Sequence, residues 1–191
     1  VTLALGVDPG AHGAFTVYDG EAGRIVQIDD MPTWLQAIGK KKRERIDALA
    51  VAELFDTYEM MGVELIVMES VGGRPQQSAS AGFVFGYGVG LIYMAAVYSR
   101  IPMETVPAAT WKALMRVPGK GKADDSAIMA RAEEIFPHDR QLFYGVRGGK
   151  KVDRAEASML AKFGTDHVLR ADKIVRDLEA MIAYRRAETG A

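Results

Sequence analysis

The sequence contains no cysteine. Structural disulfides and thiolate metal sites are therefore excluded, and a bound metal would have to be held by oxygen or imidazole. Histidine is nearly as scarce: His12, His138 and His167 are the only three, and no two stand four apart as on a helical zinc site. Carboxylates are the donors left in quantity, which favours a hard cation. Neither sign of charge dominates, with 24 basic against 25 acidic side chains and a formal net charge of −1. That balance argues against a nucleic-acid partner only on average, because basic runs stand at Lys40–Arg43, Arg116–Lys122 and Arg147–Arg154. Acids committed to a metal also lower the net charge without making a binding face acidic.

The chain opens on Val-Thr-Leu-Ala-Leu-Gly, with no basic region ahead of an apolar run, so no secretory signal is expected. Its 191 residues suit one domain, 1–191, large enough to bury a core without staples. Hydrophobic residues at 49% and charged residues at 26% are ordinary for a soluble protein. One uncharged stretch, Ala81–Tyr98, is long enough to raise a membrane span, with Gly82, Gly86 and Gly90 at small-xxx-small spacing. Its four glycines and two internal tyrosines, set between two strand patterns that need each other in one sheet, favour a helix outside the membrane.

Three apolar runs, Leu3–Val7, Gly13–Tyr18 and Arg24–Ile28, are joined by tight Gly-containing turns and predict an antiparallel meander. Met31–Arg45 reads as a basic connection. Asp47 is the expected N-cap of a helix running to Met60 and ended by Gly62. Val63–Met68 is the continuous apolar run of a central parallel strand, and Pro102–Val106 a further strand. Helices are expected over the uncharged stretch, at Ala108–Met115, at Lys122–Phe136, at Asp153–Phe163 and at Asp166–Arg186, with a loop over Pro137–Lys151. The order predicts an α/β fold: a mixed five-stranded sheet, three strands antiparallel and two parallel, with helices on both faces.

In such sheets sites form at the carboxyl ends of central strands. Asp8 ends the first strand and Glu69 the fourth; in neighbouring strands they would face each other across about 5 Å. Asp153 and Glu156, three apart at a helix start, project from one face. Each has a bland explanation, as a turn residue, a strand end or a helix-dipole complement. Together they predict a cluster of four anions that only divalent cations make tolerable. Two Mg²⁺ ions about 4 Å apart, with Mn²⁺ as a substitute, would activate water and stabilise the leaving oxygen of a phosphodiester.

The segments LALGVDPGAHGAFTVYD, ELIVMES, SASAGFVFGYGVGLIYMAAV, VPAATWK and KKVDRAEASMLAKFG, in this order, resemble the RuvC-type Holliday-junction resolvases of the ribonuclease-H-like superfamily, above all their phage-encoded and RuvC-like relatives. The resemblance runs from about Leu3 to Gly164. It implies a Mg²⁺-dependent endodeoxyribonuclease that cuts branched DNA such as Holliday junctions, leaves 5′-phosphate ends and works as a homodimer in the cytoplasm of a bacterial or phage-infected cell. It also implies that Asp8, Glu69, Asp153 and Glu156 are the metal ligands, that Lys112 stands near the scissile phosphate, and that the glycine-spaced helix helps form the dimer. Two departures are evident. Many members have aspartate where Glu156 stands, and the aromatic wedge that some carry after the fourth strand is missing from Ser70-Val71-Gly72-Gly73-Arg74.

Lys120, Lys122, Arg147, Lys150, Lys151 and Arg154 flank the acids in sequence and are the candidate phosphate contacts. Trp34, Trp111 and Phe143 are read as core or loop anchors sooner than as base-stacking residues; His12 and Arg24 have no assigned role. Two competing readings have distinct signatures. An actin-like ATPase or phosphotransferase shares a hairpin of the GVDPGAHGAFTVYD kind but needs a second domain and another Gly-rich phosphate loop. A non-catalytic DNA-binding scaffold would leave the acids unexplained.

Overall fold

The structure, a computed structural model, describes residues 2–39, 41–73, 77–118 and 125–189. Strands β1 (Leu3–Asp8), β2 (Ala14–Asp19) and β3 (Arg24–Asp30) form the expected meander. β6 (Leu65–Ser70) and β7 (Met103–Pro107) add in parallel to β1, giving a five-stranded sheet of order β3-β2-β1-β6-β7.

The expected basic connection is a correction. Thr33–Ile38 (β4) and Lys41–Ile46 (β5) pair antiparallel as a separate two-stranded ribbon. Helix α1 (Ala48–Met60) starts where the capping residue predicts, with Asp47 accepting from the Leu49 and Ala50 amides. It ends at Gly62, whose φ of +80° suits a residue without Cβ. Helix α2 (Ala79–Tyr98) follows β6, and α3 (Ala108–Leu114) follows β7 directly. Helix α4 is Asp125–Ile135; the residues 122–124 of its expected first turn lie outside the described residues. The predicted loop 137–151 contains a 3₁₀ turn, Arg140–Phe143, and a bridge between Tyr144 and Lys150.

The two expected C-terminal helices are one continuous element. Helix α5 (Val152–Phe163) passes through a π-helical turn, Gly164–Leu169, into α6 (Arg170–Thr189). Wider i→i+5 bonding lets the chain stay helical through Gly164 and Asp166, which read in sequence as a break.

Strand alternation sorts the buried residues into two cores. Ala4, Leu65 and Val67 face α5, with Trp111, Phe143, Met159 and Leu160. Leu5, Val7 and Ile66 face the other way, onto Phe55, Tyr58 and Ile92 of α1 and α2. The second cover is thin: of α2 only Gly88, Ile92 and Ala96 are buried. Among the described residues α2 is the one helix long and apolar enough to cross a membrane, by length and composition.

Candidate metal centre

The parallel register sets Val7 beside Met68, so the next residues, Asp8 and Glu69, are neighbours on the face shared with Gly6 and Val67. Helix α5 covers that face. A Cβ on Gly6 would fall 1.9 Å from the Ala157 carbonyl oxygen and 2.4 Å from the Ala161 nitrogen, so the helix backbone rests directly on β1. One on Gly164 would meet Val67 at 2.8 Å and Ala4 at 3.3 Å. The helix therefore runs against β1, and its first turn reaches the strand's carboxyl end with Asp153 and Glu156. A buried hydrogen bond of 3.2 Å between Thr16 and Ser158 fixes the same helix to β2.

One carboxylate oxygen from each of Asp8, Asp153 and Glu156 lies within 4.8 Å of the other two. Glu69 stands beside this trio and not in it, yet its charge acts on both Asp8 and Glu156. Burial first, then the charges of Glu156, Asp153 and Glu69, push the Asp8 carboxyl well above the usual carboxylate range. A hydrogen bond with Asp153, which needs a proton between the two carboxyls, adds to the rise. Burial also raises Glu156, against the pull of Lys112, whose Nζ lies 2.7 Å from Glu156 Oε1.

The residues fit a hard divalent cation. All four side chains offer only oxygen, and the burial and mutual repulsion that raise Asp8 are what a bound cation relieves. The remaining pair is held from α3. Buried Trp111 donates its indole N–H to Glu69 Oε2 at 2.9 Å, and the next residue, Lys112, is the partner of Glu156. Sequence reasoning took Trp111 for packing alone; its polar role depends on a partner 42 positions away.

The acids lie in a cleft of about 1330 Å³ walled by Phe85 and Tyr87 of α2 and by Arg43 and Arg45 of β5. The other candidate cations are dispersed. Lys151 Nζ lies 3.0 Å from Asp30, and Arg154 grips both Asp30 oxygens, at 2.6 and 3.0 Å, while also donating to the Leu142 carbonyl. Hydrogen bonding to Arg154, against burial and with help from Lys151, holds Asp30 below the usual carboxylate range. Arg147 and Lys150 are exposed on the loop before α5. Lys120 and Lys122 lie outside the described residues. Of the residues without an assigned role, Arg24 locks onto Asp139 at 2.8 Å, and His12 lies 3.4 Å from Glu44. Phe143 is buried as expected, whereas Trp34 is 49% exposed and anchors no core.

No protein-family model and no curated protein matches this sequence. Solved structures do. RuvC of T. thermophilus in complex with a Holliday junction substrate is similar over 86% of this chain and 93% of its own, at 11% identity and a TM-score of 0.57. A structure of Thermus thermophilus RuvC alone matches over 86% and 95%, at 13% identity and a TM-score of 0.50. A Fowlpox virus resolvase bound to Holliday junction DNA has 12% identity, coverage of 84% and 94%, and a TM-score of 0.45. The likeness to the two RuvC structures is one of fold: this chain has the RuvC-like form of the ribonuclease-H fold.

Proposed function

We propose that this chain is a divalent-metal-dependent endodeoxyribonuclease that cuts branched DNA, with Holliday junctions as its leading substrate. The observation that carries the reading is the meeting of Asp8, Asp153 and Glu156, from a strand end and a helix start more than 140 positions apart, with Glu69 alongside. The RuvC structure of like fold holds a Holliday junction, which supports the same substrate class here.

In this reading Asp8, Glu69, Asp153 and Glu156 hold Mg²⁺, with two ions as the proposed loading and Mn²⁺ able to substitute. When bound, the metal supplies Lewis acidity toward the phosphodiester and makes water a better nucleophile at neutral pH. The protein's share is positional. Trp111 occupies one oxygen of Glu69 and fixes its rotamer. Lys112 steadies Glu156 and, 23% exposed at the cleft, offers a positive charge to an entering phosphate. Arg147 and Lys150, with Lys120 and Lys122, are proposed to hold the DNA backbone away from the cut. Lys151 and Arg154 contribute there only if DNA phosphate displaces Asp30.

The protein is proposed to act as one domain, in the cytoplasm, as a homodimer with no part for a membrane. Support for the dimer comes from α2. Added Cβ atoms on Gly86 and Gly90 would meet nothing within 4 Å, so these glycines are not needed for packing inside the chain. Phe83 and Tyr87, 75% and 60% exposed, stack on each other on the same helix. A second copy related by a two-fold axis would place two sites for paired cuts.

The test is direct. Purified protein with Mg²⁺ should nick a synthetic four-way junction, and Asp8→Asn should bind the junction without cutting it. Absence of nicking on every branched substrate, with intact protein and Mg²⁺ or Mn²⁺, rejects the reading.

A further inference from the structure

The two-stranded ribbon that sequence reading missed stands at the cleft and has no part in the chemistry above. From Lys40 to Arg45 the sequence has five basic residues and one acid, Glu44. Cross-strand partners share a face, and the register pairs Trp34 with Arg45 and Gln36 with Arg43. One face therefore carries an indole and two guanidiniums. Arg45 Nε donates to Gln36 Oε1 at 2.8 Å across that face, which stiffens it, and Arg43 is exposed. Ile46, on the other face, is buried against α2, where a Cβ on Gly88 would come within 2.8 Å of it. This contact holds the ribbon against the body of the protein. Arg43 and Arg45 also wall the cleft that contains the acids, so the face continues from the metal centre outward.

Trp34 has large apolar area, half of it in water, and among the described residues no ring stacks on it. A tryptophan flanked by arginines on a rigid ribbon is a platform for a nucleobase with its phosphates on either side. Paired bases in a duplex offer no free face, whereas bases at a branch point or in a single strand do.

We propose that the outer face of the β4–β5 ribbon is a second DNA-binding site, in which Trp34 stacks on an unpaired base beside the cut and Arg43 and Arg45 hold the adjoining phosphates. The site rests on the nuclease reading. It gives the branch point an aromatic contact at a place other than the loop after β6, which has none.

The test measures binding by fluorescence anisotropy without divalent cation, using a four-way junction, a single strand and a linear duplex, alongside junction cleavage in Mg²⁺. Trp34→Ala should weaken junction and single-strand binding about tenfold and duplex binding less than about twofold. Trp34→Phe should keep most of the affinity. Arg43→Glu should weaken all three DNAs and lower the salt dependence of binding by about one ion, and Arg43→Lys should restore it. Unchanged melting temperatures and far-UV spectra exclude misfolding as the cause. Wild type that binds and cuts junctions, with variants that bind them equally well, overturns the ribbon site and leaves the nuclease reading standing. An equal loss on duplex in Trp34→Ala overturns the base contact. A change of oligomeric state in Trp34→Ala without loss of DNA affinity makes the ribbon a protein interface and overturns the proposal. Wild type that neither binds nor cuts any of the DNAs removes the nuclease reading and the ribbon site together.

Discussion

Gly6 and Gly86 are the same residue type on opposite sides of one sheet, and their surroundings differ completely. Around Gly6 the backbone of α5 is so close that a methyl group has no room, and the residues above it are Ala157 and Ala161. Around Gly86 there is nothing within reach. The α5 face is closed and carries the acids at its rim. The α2 face leaves most of one helix, with Phe83, Tyr87, Met94 and Tyr98, in solvent. Exposed apolar area on this scale is the signature of an interface sooner than of a free surface. The acids thus meet where α5 rests directly on β1, and the exposed side of α2 is where the proposed second copy would dock.

That contrast can be broken in several ways. The largest effect is expected at the acids: Asp8→Asn should lower junction cleavage by on the order of 10³-fold or more. It should also raise the melting temperature of the metal-free protein, by roughly 2–6 °C, because it removes a repelled, buried carboxylate. A variant that loses activity and stability together would mean the acids serve the fold. Next, Gly6→Ala should destabilise by about 3 kcal/mol or more in denaturant unfolding, since backbone and not a flexible side chain blocks the methyl. Gly86→Ala should do the reverse for the isolated chain, adding about 0.5–1 kcal/mol through helix propensity, while sedimentation should show the proposed dimer weakened. A destabilised Gly86→Ala monomer would erase the distinction between the faces. Trp111→Phe keeps most of the packing but releases Glu69, and Mn²⁺ affinity by titration should fall about tenfold.

The smallest effect is in pH dependence. Asp8 and Glu156 are raised in the fold, so their contribution to metal-free stability is greatest below the ordinary carboxylate range and is lost as pH rises through their folded values. Asp30 and Asp139 are lowered, so theirs is present above that range and lost as pH falls through their folded values. Melting temperature against pH should therefore fall on both sides, and added Mg²⁺ should lift only the neutral side. A cation effect that is equal at both ends would contradict the assignment.

Much of this was legible from local chemistry. Asp8 and Glu69 stand after continuous apolar runs, and the period of two puts them on one face once their strands are neighbours. Asp47 and Gly62 marked a helix through capping and backbone freedom. The ribbon was hidden because Lys42 and Arg43 put charge on both faces, and a strand with no core to face shows no alternation. The roles of Lys151 and Arg154 were hidden for a different reason: Asp30 lies 121 and 124 positions away, and a basic run beside acids reads the same whether its partner is protein or phosphate. The continuity of α5 and α6 was masked by Gly164, which is there for Val67 and Ala4 and not as a stop.

Helix α3 is only seven residues long, yet two consecutive members hold carboxylates from two different elements, Glu69 of β6 and Glu156 of α5. It acts as a yoke. A small rotation of this short helix would swing both carboxylates together, so the positions of the two oxygens are a single mechanical variable and not two.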